Sequence, residues 1–215
     1  MKIGVICEGP TDRVVIENIL KGLKGIDSSQ IIPLRPNYSK DETDLAKIPT
    51  VDSFSNWTIV KEECQNRIKI DKFLKIEGQD IIIIHIDSAE SDQFGVPKPL
   101  KDANYSINLR ANIITKITEW LDGQFQNDII YAIAIEETEA WILTIYEAKD
   151  SSTSTDPKAK LKRVLSKLGV KYSHTPKGFK IISDNFTKPK YYSKKKYCSF
   201  NKSLEEFCNE VENKL

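Results

Sequence analysis

Ile81-Ile82-Ile83-Ile84-His85-Ile86 runs straight into Asp87-Ser88-Ala89-Glu90-Ser91-Asp92, so an unbroken apolar stretch ends abruptly in acid. A short run of β-branched residues without alternation reads as a strand buried on both faces, as a parallel sheet covered by helices requires. The same construction occurs twice more. Lys2-Ile3-Gly4-Val5-Ile6-Cys7 breaks into Glu8-Gly9-Pro10-Thr11-Asp12, and Asp128-Ile129-Ile130-Tyr131-Ala132-Ile133-Ala134-Ile135 breaks into Glu136-Glu137-Thr138-Glu139. In open α/β sheets the carboxyl ends of the strands form the ligand crevice. Acids from three strand ends therefore share one small volume, where their repulsion calls for a cation and a divalent metal is the usual answer.

Helical patterns separate these strands. After Pro10, Thr11 or Asp12 caps a helix whose Val15, Ile16, Ile19, Leu20 and Leu23 keep to one face, with Gly22 and Gly25 at its end. Gln30–Pro36 reads as an edge strand because of its prolines, Asn37–Ser55 as a polar loop, and Trp57–Ile76 as a helix. Ser88–Asn108 has no period and reads as a loop over the crevice, and Ile113, Ile114, Ile117, Trp120 and Leu121 then form a helical stripe. This alternation predicts a doubly wound, mainly parallel α/β sheet with helices on both faces over residues 1–148. Ser151–Pro157 reads as a linker into a small basic, mainly helical appendage, 149–215, whose last helix opens at Ser203 with Glu206 as a capping box.

The chain has 215 residues, 40% of them hydrophobic, enough for one packed α/β domain and an appendage. No apolar stretch is long enough to span a bilayer and no signal-peptide pattern opens the chain, so a soluble, cytoplasmic protein is expected. Four separated cysteines (Cys7, Cys64, Cys198, Cys208) read as reduced thiols, which excludes a zinc ribbon or disulfide scaffold. The net charge of +1 conceals an asymmetry: residues 150–200 carry thirteen Lys and Arg against three Asp and Glu, whereas residues 1–149 carry seventeen against twenty-four. An acidic body with a basic appendage suits a polyanionic partner, although a lysine-rich stretch also serves as a solvated surface.

Glu8-Gly9-x-Thr11-Asp12 at a first strand end, with Asp87 ending a later hydrophobic strand, resembles the TOPRIM superfamily of topoisomerases, DnaG-type primases and OLD-family nucleases. The segment Glu137-Thr138-Glu139-Ala140-Trp141 is similar to one in a bacterial TOPRIM-like branch related to the OLD-family nucleases. The resemblance covers residues 1–148. It places the family's first-strand glutamate at Glu8 and the first aspartate of its Asp-x-Asp at Asp87, but the second falls on Ala89. Either Glu90 or Asp92 supplies that ligand from the loop, or the metal site is incomplete. The resemblance implies a TOPRIM/Rossmann-like fold, Mg²⁺ (or Mn²⁺), a nucleic-acid substrate, a role in bacterial defence against phage or mobile elements, and an ATPase partner protein.

Asp87, Glu8 and Glu136 are thus the candidate catalytic residues. The same three, with Glu139 and with Glu90 or Asp92, are the candidate metal ligands. Glu137 and Glu139 also suit the first turn of a helix, where the dipole favours acids. His85 shares the Asp87 face by strand alternation and is read as a core residue, and His174 has no local partners. Lys188-Pro189-Lys190-Tyr191-Tyr192-Ser193-Lys194-Lys195-Lys196-Tyr197 mixes phosphate-neutralising lysines with tyrosines able to stack on unpaired bases. Its alternative is a tyrosine face packed on the domain with lysines in water. Together these features predict a metal-dependent nuclease or phosphodiester-transfer enzyme. The alternative is a non-catalytic, nucleic-acid-binding or regulatory subunit on the same scaffold.

Overall fold

A computed structural model of the chain describes residues 1–35, 56–193 and 197–215; the polar stretch 37–55 and Lys194, Lys195 and Lys196 lie outside the described residues. Four strands, β1 (Ile3–Ile6), β2 (Ile31–Arg35), β3 (Ile81–Asp87) and β4 (Ile129–Ala134), form one all-parallel sheet in the order β2-β1-β3-β4. Ile3 pairs with Ile81 and Asp87 with Ala134, so the three acid-terminated runs lie side by side. The chain adds β2 on one side of β1 and β3 on the other. That reversal puts the topological switch point at the carboxyl ends of β1 and β3, where Glu8 and Asp87 stand.

Helices cover both faces, as a doubly wound α/β fold requires. On one face Val5, Ile83, Ile130 and Ala132 share a core with Val15, Ile16 and Ile19 of α1 (Pro10–Lys24). On the other, Ile6, Ile84, Ile86 and Ile133 share a core with Trp57 and Val60 of α2 (Asn56–Asn66) and Leu109, Ile113 and Ile117 of α3 (Tyr105–Trp120). The alternation of β3 sends Ile82, Ile84 and Ile86 one way and Ile81, Ile83 and His85 the other.

Several local expectations need revision. The helix expected over Trp57–Ile76 breaks at Arg67, which adopts a left-handed φ of 58°. It restarts at Ile68, where buried Glu63 accepts the Lys69 amide at 2.8 Å through its carboxylate. The crevice loop is tighter than expected: Ser88–Phe94 is a run of 3₁₀ turns and α3 begins at Tyr105. Gly22 lies inside α1 rather than at its end. A Cβ there would meet the Phe186 carbonyl oxygen at 1.9 Å, so glycine lets the C-terminal segment close on the helix.

Residues 149–215 are not an appendage but part of the same fold. Ser151 and Ser152, expected in a linker, are buried and bonded to the Ala140 carbonyl and to the Phe200–Lys202 backbone. After α4 (Glu139–Glu147), the chain forms α5 (Pro157–Lys167), α6 (Pro176–Ile182) and α7 (Lys202–Lys214). Leu161, Phe179, Phe207 and Val211 join the first core, and Trp141 stacks on Phe207 with ring centroids 5.5 Å apart. The N-cap of α7 is Asn201, whose Oδ1 accepts the Leu204 amide; Ser203 instead receives the Trp141 indole N–H at 2.8 Å. α7 also covers the open edge of β4. Glu210 accepts the Tyr131 amide and pairs with Arg110, and Lys214 donates to the Ile129 carbonyl at 2.6 Å. An edge strand whose backbone groups are met in this way offers no template for pairing with another chain.

Candidate metal centre

The site is assembled from three strand ends and the first turns that follow them. β1 ends at Ile6, Cys7 and Glu8 extend past it, and Gly9 caps α1, whose first turn carries Asp12. β3 supplies His85 and Asp87 on one face. Beyond β4, Glu136 takes a left-handed φ of 64° and turns the chain so that Thr138 and Glu139 open α4.

Asp12, His85 and Asp87 each present a ligand atom within 4.8 Å of the other two. Thr138, fully enclosed, is the hub. Its hydroxyl donates to Asp87 Oδ1 at 2.9 Å, lies 3.0 Å from His85 Nε2 and has the Asp12 carboxylate as an alternative acceptor for the same proton. A hydroxyl has one proton, so when it goes to Asp87 the imidazole Nε2–H donates to Thr138; ligation through Nε2, the nitrogen 3.6 Å from Asp87 Oδ1, takes the other tautomer, with the proton on Nδ1. His85 Nδ1 is then buried without a hydrogen-bond partner among the described residues. Glu8 closes the other side, its Oε1 accepting the Asp87 amide at 2.5 Å.

The electrostatics follow from burying like charges. Burial, with Asp12 and Glu90 nearby, pushes the Glu8 carboxyl up to about 8 against the pull of the Asp87 amide. Asp12 is raised to about 6, again mainly by burial, with hydrogen bonds from Thr138 and the Gly9 and Asp12 amides acting the other way. Asp87 is raised well above the usual carboxylate range by burial and by Asp12, Glu8 and Glu139. His85 falls to about 3 because burial disfavours the imidazolium, so its ring is neutral and keeps a lone pair. Two carboxylates and a neutral imidazole, converging on a point and destabilised by their own charge, form a donor set that fits a divalent cation.

The expected residues divide. Glu8 and Asp87 meet directly. Glu139 is buried in the first turn of α4, raises Asp87 through its charge, and lies 3.7 Å from His174 Nε2. Glu136 turns to another set of partners: Tyr105 donates to it at 2.9 Å and the Lys98 ammonium lies 3.6 Å away. Glu90 is near enough to Glu8 to raise it, whereas Asp92 is exposed on the 3₁₀ turn. Ala89 ties the crevice together by backbone, its amide donating to the Glu136 carbonyl at 3.0 Å.

Asp12, His85, Thr138 and His174 complete the site, although none of them was a candidate ligand from the sequence: Asp12 was read as a helix cap and His85 as a core residue. The shared face of His85 and Asp87 was a usable signal, and Asp12 stood one turn past the strand end as a helix-cap candidate. Thr138 and His174 offered none, since their partners are distant in sequence.

The nucleic-acid segment is corrected in part. Tyr191 and Tyr192 are core residues rather than a stacking platform: their hydroxyls bond to Thr144 and to the Phe186 carbonyl, and Tyr191 stacks on Tyr197 at 4.5 Å. Enclosed rings have no free face for a base. Lys188 pairs with Asp184 and Asn185, and Lys190 is exposed. The four cysteines are free and buried, and no helix among the described residues is long and apolar enough to cross a membrane. Comparison with known proteins returns no matching family model, no matching curated protein and no matching solved structure.

Proposed function

We propose that this protein is a divalent-metal-dependent phosphodiester hydrolase of TOPRIM-like type, with Asp12, His85 and Asp87 as its metal ligands and Glu8 as its proton-transfer group. The observation that carries this reading is the convergence of those three donors within 4.8 Å at the switch point of a parallel sheet. Mg²⁺ or Mn²⁺ suits the carboxylates, and the imidazole tilts the preference towards Mn²⁺. A cation held there supplies positive charge against phosphoryl oxygens and makes water more acidic.

The protein's own groups supply the rest. Glu8 is held near neutrality, in the range where a general acid or base works best. Its Oε1 is committed to the Asp87 amide, so the proton it exchanges resides on Oε2. Thr138 fixes the rotamer of Asp87, so that ligand needs little reordering. The test is turnover: labelled single- and double-stranded DNA and RNA are incubated with Mg²⁺ or Mn²⁺. Cleavage is expected, abolished by EDTA and lowered by about 100-fold or more in Asp87→Asn, the loss typical of a key electrostatic group. Cleavage that survives both, or none with any substrate, would sink the reading.

A further inference from the structure

Beside the acidic centre, α5 and the turn that follows it enclose a groove of about 1000 Å³. Lys158 and Lys162, one helical turn apart on α5, and Lys171, beyond its end, line it. The half-buried Val170 and Tyr172 supply apolar surface to the same groove. All three lysines are exposed, and Lys162 and Lys171 form no ion pair among the described residues. The acid on the rim, Asp156, is committed to capping α5 through the Ala159 amide.

The groove and the centre share a wall. His174 lines the groove and approaches Glu139 to 3.7 Å, and its charge acts on Asp12. Lys158 acts on Glu137 and Glu139, and its amide donates to the Glu137 carboxylate at 3.2 Å. A ligand lying in the groove therefore runs towards Asp12 and Asp87. Exposed lysines along the lining call for an extended polyanion, and the apolar surface beside them suits planar bases, which stack without regard to sequence.

We infer that this groove holds a single-stranded polynucleotide, its phosphates against Lys158, Lys162 and Lys171 and its bases over Val170 and Tyr172. The inference rests on the phosphodiester reading for its substrate class, yet concerns a different surface from the metal ligands. It is a different contact from the one expected at Lys188, Lys190, Tyr191 and Tyr192, whose two rings are enclosed.

Binding of fluorescent dT20 and rU20 to the full chain, followed by anisotropy in EDTA, tests it without turnover, so success or failure here is separate from that of the cleavage assay. Lys162→Glu with Lys171→Glu should weaken binding by at least about tenfold and flatten the slope of log K against log salt by about 1.4, from about 0.7 per phosphate contact on a single strand. Lys188→Glu with Lys190→Glu should leave both nearly unchanged. Unaltered binding in the groove variant, loss only in the 188/190 variant, or displacement of the probe by an equal concentration of AMP would overturn the inference. A difference between dT20 and rU20 would identify which nucleic acid the groove prefers.

Discussion

Glu8 carries a pH signature that isolates the site from the rest of the molecule. Its folded carboxyl titrates at about 8 rather than 4.5, so it binds a proton more tightly folded than unfolded. Such a group contributes stability fully below pH 4.5 and loses it as pH rises through 8. His85 works in the opposite direction, its contribution being lost as pH falls from 6.5 towards 3. Between pH 6.5 and 8.5 His85 is silent, and the raised carboxyls of Glu8 and Asp87 act alike. In EDTA the melting temperature should therefore fall across that window by a few degrees, since a chain of this size shifts by about 2–4 °C per kcal/mol. Glu8→Gln should flatten the fall, because the amide oxygen still accepts from Asp87 but no longer titrates. A flat or rising profile in the unmodified protein would contradict the burial of these acids.

Among the elements, α7 does the most unexpected work, because it closes the β4 edge. Glu210 meets both the Tyr131 amide and the Arg110 guanidinium, and Arg110 also donates to the Tyr131 carbonyl at 3.1 Å. Glu210→Ala strands a strand amide and a buried cation, a loss of about 1–3 kcal/mol by urea unfolding. A change under about 0.5 kcal/mol, the range of ordinary surface substitutions, would mean that the helix does not secure the edge. The strands themselves were legible: three apolar runs became β1, β3 and β4 because residues buried on both faces cannot alternate. The helix break at Arg67, the enclosure of Tyr191 and Tyr192 and the fixing of Ser151 were not. Tyr191 and Ser151 depend on partners far along the chain, Thr144 and Phe200, and local pattern carries no record of such partners.

For the whole molecule, the same separation explains which part of the site was legible. Glu8 and Asp87 stood at strand ends and topology alone brings neighbouring strand ends together. Glu136 stood at the equivalent position on β4, but its left-handed backbone sends the carboxylate to Tyr105 and Lys98. Asp12, one helical turn beyond β1, comes back towards Asp87 because Gly9 and Pro10 start α1 immediately after the strand. The C-terminal third, basic and expected to stand apart, instead covers one face of the sheet, protects its edge and lines a groove beside the acids. The charge asymmetry of the chain is thereby folded into adjoining basic and acidic surfaces on one body.

The central claim is that Asp12, His85 and Asp87 hold a divalent cation. A crystal structure with Mn²⁺, read from anomalous scattering, tests it most directly. One strong peak is expected about 2.0–2.6 Å from a carboxylate oxygen of Asp12 and of Asp87 and from His85 Nε2, a peak lost in Asp87→Asn. Full Mn²⁺ occupancy elsewhere with that triad empty, or no peak at saturating Mn²⁺, would contradict it.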